Sequence, residues 1–69
     1  MPREAAPARF AVKIRFAESR GWSYLNARGE PTSRKAEAAA GPVADMRWWR
    51  GELARAHKGL GLKFKVVTL

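Results

Sequence analysis

Phe10-Ala11-Val12-Lys13-Ile14-Arg15-Phe16 alternates without a break, Phe10, Val12, Ile14 and Phe16 having one parity and Ala11, Lys13 and Arg15 the other. A period of two is that of a β-strand, whose successive side chains point to opposite faces. The stretch therefore predicts a strand with one apolar and one basic side. Glu18-Ser19-Arg20-Gly21 suits a turn, and residues 22–27 predict a second strand that completes a hairpin and is ended by Gly29 and Pro31. Thr32 or Ser33 can cap a short alanine-rich helix running through Ala40. Gly41 would stop that helix and Pro42 open a second, expected to end near His57 or Lys58 with Gly59 closing it. Leu62-Lys63-Phe64-Lys65-Val66-Val67-Thr68-Leu69 alternates again and predicts a third strand.

This order predicts an α+β fold: a small two-layer ββααβ domain whose helices cover one face of a three-stranded antiparallel sheet. A right-handed crossover would place the last strand beside the first, for a spatial order 2-1-3. On the second helix Val43, Met46, Trp49, Leu53, Ala56 and Leu60 gather on one side and are expected to cover the sheet.

With 69 residues the chain supports a single domain, read as residues 9–69 after a flexible N-terminal arm of residues 1–8 that carries Pro2 and Pro7. Fourteen Lys and Arg stand against six Asp and Glu, a net charge of +8, and the excess is spread over both halves of the chain. Such a balance favours phosphate backbones, acidic protein surfaces or anionic membranes as partners. The absence of cysteine excludes disulfides and thiolate chemistry, and no apolar run reaches the roughly 20 residues that cross a bilayer. A cytoplasmic protein without a membrane association is expected.

The predicted sheet leaves one face uncovered, and the residues whose parity sends them there are Lys13, Arg15, Lys63 and Lys65, joined from the second strand by Trp22 and Tyr24. Cations interleaved with aromatic rings make a platform for nucleic acid, the cations holding phosphates while the rings stack on bases. Lysines on an edge strand are also an ordinary guard against aggregation, and Trp22 or Tyr24 can equally pack in the core. Arg34 and Lys35, with Thr32 and Ser33 at the start of the short helix, form a second expected phosphate contact. Trp48 projects away from the buried stripe, where a tryptophan is unusual without a partner. Arg47 and Arg55 accompany it as expected protein-interaction residues, and Arg55 is placed to lie against its ring. The C-terminal strand offers an edge on which a second copy can pair to form a homodimer.

Nothing in the chain suggests catalysis. His57 is the only histidine, so no ordinary zinc site can form, and its expected role is a hydrogen bond or charge at the helix C-terminus. The six carboxylates are dispersed, Gly59-Leu60-Gly61 lacks the spacing of a phosphate-cradling loop, and no cofactor is implied.

Trp22-Ser23-Tyr24-Leu25 with Gly29, followed by Thr32-Ser33-Arg34-Lys35-Ala36-Glu37-Ala38, resembles the strand, turn and helix start of the N-terminal arm-binding domains of phage integrases. The resemblance covers under a third of the chain and implies DNA binding. Those domains place three strands before one helix, whereas this chain reads as two strands before the helices and one after, so their DNA-binding residues are not carried over. In size and general character the chain is also similar to accessory proteins of phages and mobile elements, anti-CRISPR inhibitors among them. Two expectations follow. One is a small basic binding protein that engages nucleic acid or a host nucleoprotein complex through its open sheet face. The other is a phage-encoded inhibitor docking on a host CRISPR effector complex through protein contacts around Trp48.

Overall fold

The computed structural model describes residues 9–69, so the arm read at residues 1–8 lies outside the described residues. Strands β1 (Phe10–Arg15), β2 (Ser23–Leu25) and β3 (Pro31–Thr32) are followed by a single 3-10 turn (Lys35–Glu37), helix α1 (Val43–Ala56) and strand β4 (Lys63–Thr68). The strands form one antiparallel sheet in the order β3-β2-β1-β4. The fold is α+β, with the long last strand beside the first and antiparallel to it, as expected of a crossover over the sheet.

Two expectations are corrected. The sheet has four strands rather than three, because Gly29 and Pro31 do not end the hairpin but start another. Asn26 Oδ1 accepts from the backbone N–H of Arg28 and of Glu30, each at 2.9 Å, and Gly29 adopts φ 79. The side chain thereby holds a tight turn that a left-handed glycine completes. Pro31 and Thr32 return beside Leu25 and Tyr24, at the outer edge where a proline removes no ladder bond.

The second correction concerns the alanine-rich helix, which shrinks to the three residues Lys35–Glu37, so that there is one α-helix among the described residues. The following alanines are drawn out of helical conformation by the sheet. Ala39 N–H donates to the Leu25 carbonyl at 2.9 Å, and Gly41 and Phe10 exchange bonds at 2.9 and 3.0 Å. Gly41 therefore extends the sheet beside β1 instead of stopping a helix, and Pro42 takes the N-cap position of α1 as its fixed φ allows. At the other end the helix gives way at His57, and Gly59 turns the chain with φ 87.

Val12, Ile14 and Leu25 form the buried centre, with Met46, Trp49 and Leu53 of α1 packed on it from one side together with Leu62, Phe64 and Val66. Three residues expected in this layer are outside it. Ala56 is exposed, and Leu60, 61% exposed, lies beyond the helix in the turn that leads to β4. Phe16 falls one residue past β1 and is 42% exposed, because the chain leaves the ladder before the alternation in the sequence ends. Among the described residues no helix is long and apolar enough to cross a membrane.

Candidate nucleic-acid interface

The register between β1 and β4 decides what the uncovered face carries. Lys13 lies opposite Lys65 and Arg15 opposite Lys63, while Val12 and Ile14 face Val66 and Phe64 on the side taken by α1. Four cations therefore share the face turned away from the helix. On β2, Tyr24 is opposite Lys13, which puts it on that same face and Leu25 on the core side.

The aromatics do more than share the face. Lys13 Nζ sits 4.5 Å from the centroid of the Tyr24 ring, and Lys65 Nζ sits 4.3 Å from that of Trp22. Trp22 precedes β2, so its contact with Lys65 reaches across β1. Directly opposed like charges cost a few tenths to about 1 kcal/mol per pair, and a cation over an aromatic face recovers about 0.5 to 1 kcal/mol at an exposed site. The two effects are of similar size, so the rings offset the crowding of the lysines and hold their ammonium groups in place. Trp22 and Tyr24 are both half-buried. A base stacking on either ring from the lysine's side would have to displace the ammonium, which makes these rings first of all supports for the cations.

Arg15 is held from another direction, its Nε donating to the Ser19 carbonyl at 2.9 Å. This bond folds the guanidinium toward the turn after β1. Lys63 and Lys65 are exposed, and Lys13 and Arg15 are half-buried beside them. Among the described residues no carboxylate pairs with any of the four; the ion pairs are Arg34 with Glu37 and Arg55 with Glu52.

The other expected sites fare differently. The phosphate contact at Arg34 and Lys35 loses its physical basis with the helix that was to carry it, since a 3-10 turn of three residues has no helix terminus to offer. Its polar groups are satisfied internally: the Thr32 hydroxyl donates to Glu37 Oε1 at 2.7 Å and accepts from Arg34 N–H at 3.1 Å, while Arg34 lies 3.6 Å from the Glu37 carboxylate. Trp48 is 67% exposed on the outer side of α1. Arg55 does not lie on its ring but pairs with Glu52. Arg47 belongs to a different surface, a groove of about 440 Å³ between α1 and β4 that sequence reasoning missed. The signal for it was present in the sequence, since Arg47 and Arg50 are one turn apart and follow the helix face that starts at Val43.

His57 fills the role expected of it, its Nδ1–H donating to the Leu53 carbonyl at 2.9 Å and its ring standing 5.9 Å from that of Phe64. Among the described residues no three His, Cys, Asp or Glu side chains gather as a metal ion would need. Comparison with known proteins finds no matching family model, no matching curated protein and no matching solved structure.

Proposed function

We propose that this chain is a non-enzymatic binding protein that engages nucleic acid, alone or within a nucleoprotein complex, through the basic face of its sheet. The observation that carries this is the convergence of Lys13, Arg15, Lys63 and Lys65 on one uncovered face, two of them braced on aromatic rings. Cations fixed in advance lose little freedom when they meet phosphates, and four phosphate contacts release counterions in proportion. The face suits a single strand, whose phosphates follow the cations that Trp22 and Tyr24 hold in place.

The test is fluorescence anisotropy of a labelled single-stranded oligonucleotide across a salt series. With four phosphates engaged, the logarithm of the affinity should fall against the logarithm of salt with a slope of about −3. Charge reversal at Lys13 and Lys65 together should reduce the slope by roughly half. A flat salt response, or a reversed pair that binds as well as the parent, would sink the proposal.

A second reading, that of an inhibitor docking on a host CRISPR effector complex, needs an exposed anchor for protein contact, and one observation fits that need. Trp48 is the largest apolar side chain left open on α1, and exposed tryptophans anchor protein interfaces more often than other residues. Capture of a protein partner from nuclease-treated host lysate, lost on Trp48→Ala, supports it; capture that survives this substitution counts against it.

A further inference from the structure

The two edges of the sheet are unlike. β3 is two residues long and begins with Pro31, whereas β4 runs for six residues without a proline and has β1 as its one strand partner among the described residues. Leu69 N–H donates to the Arg9 carbonyl at 2.8 Å. In an antiparallel ladder the bonding pairs alternate, so Lys63, Lys65 and Val67 direct their backbone groups at β1, and Phe64, Val66 and Thr68 direct theirs outward at the open edge.

This edge is flanked by positive charge on both sides. On the uncovered face stand the exposed Lys63 and Lys65. On the helix side lies the groove, with Phe10, Val43, Phe64 and Val66 among its apolar lining and the exposed Arg47 and Arg50 contributed by α1. A strand added to β4 would send alternate side chains to the two sides, one set beside the lysines and the other into the groove.

From this geometry we infer that the β4 edge and the groove beside it bind an extended acidic segment of a partner protein by strand addition. Carboxylates at alternate positions meet Lys63 and draw the Lys65 ammonium from the Trp22 ring toward the edge, apolar residues between them fill the groove, and a further carboxylate reaches Arg47 and Arg50. Backbone bonds to Phe64, Val66 and Thr68 hold the segment, and the side chains select it. A second copy of this chain is disfavoured as the occupant. It would bring its own Lys63 and Lys65 to the same face and its own Arg47 and Arg50 to the same groove, adding like charge to both. The site is separate from the nucleic-acid reading, although its occupant would neutralise two of the four cations on the sheet face.

The experiment measures binding of a labelled, end-blocked ten-residue peptide that alternates glutamate with valine, its last valine replaced by glutamate to supply the carboxylate for Arg47 and Arg50, using nuclease-treated protein so that no nucleic acid covers the lysines. Two further peptides carry N-methyl groups on alternate backbone nitrogens, one set in each parity, and a fourth replaces glutamate by lysine. The unmethylated acidic peptide should bind, one methylated parity should lose at least tenfold, the other should bind as before, and the lysine peptide should not bind. The pair Arg47→Glu with Arg50→Glu should weaken binding at least tenfold, with circular dichroism confirming that the variant is folded. Because the N-methyl comparison uses the unaltered protein, it decides the matter even if that variant fails to fold. Equal binding of both methylated peptides would reduce the effect to charge attraction and overturn the proposal, as would no binding at all. A dimer in sedimentation equilibrium that the acidic peptide cannot dissociate would assign the edge to a second copy and overturn it equally.

Discussion

Gly61 shows how much of this fold depends on single backbone positions. It adopts φ 75, and a Cβ placed there would meet the Ala17 Cβ at 3.0 Å, where the start of β4 passes the end of β1. A left-handed conformation costs a residue with a side chain about 1 to 2 kcal/mol, and the close approach adds to it. Gly61→Ala is therefore expected to destabilise the protein by at least that amount, read as a lower urea midpoint at unchanged slope. Trp48 gives the opposite case. With two thirds of its surface in water, Trp48→Ala should change stability by no more than about 0.5 kcal/mol. A larger loss in the same titration would mean that its ring supports the helix after all.

At the scale of elements, the parts that were legible in the sequence are those where one physical signal dominates. β1 alternates from Val12 to Arg15 and β4 from Lys63 to Val66, and their pairing follows from the need to bury Val12, Ile14, Phe64 and Val66 together. Helix α1 was legible through the spacing of Met46, Trp49 and Leu53. The basic face was legible for the same reason, because parity alone sends Lys13, Arg15, Lys63 and Lys65 to one side. β3 and the missing alanine helix were not, since both are decided by partners distant in sequence. Alanine favours helix by only a fraction of a kcal/mol per residue over most residue types, and backbone bonds from Leu25 and Phe10 to Ala39 and Gly41 outweigh that preference. The groove stayed hidden because Arg47 and Arg50 mark only its helix wall, and the placement of that wall against β4 is encoded by no local pattern. The β2–β3 hairpin makes its own prediction. Asn26→Ala removes the acceptor of two backbone bonds, each worth about 0.5 to 1.5 kcal/mol. Amide hydrogen exchange should accelerate around Arg28 and Glu30 while protection within β1 is retained; unchanged exchange there would show that the turn does not need this side chain.

For the whole molecule, charge acts in two opposed senses. A net +8 on 69 residues repels itself in the compact state, and only two ion pairs offset it among the described residues. Added salt screens this repulsion within a Debye length of about 10 Å at 0.1 M. Thermal stability is thus expected to rise between about 0.02 and 0.2 M sodium chloride. A change of 1 kcal/mol in a domain of this size moves the midpoint by about 4 to 8 °C. The same salt range should weaken oligonucleotide binding, so fold and ligand respond to ionic strength with opposite signs. A midpoint that falls over this range would show that attractive pairs outweigh the repulsion.

The pairing of Lys13 with Lys65 and of Arg15 with Lys63 has one more consequence, for how the chain finds its fold. If β4 slid along β1 by a single residue, its lysines would be driven under the helix, and Phe64 and Val66 would turn out into water. Neither exchange is tolerable, so the neighbouring register is closed to the folding chain. The cations that crowd the sheet also act as part of its alignment key, and uncharged replacements at positions 63 and 65 would leave the exposure of Phe64 and Val66 as the one remaining barrier to that step.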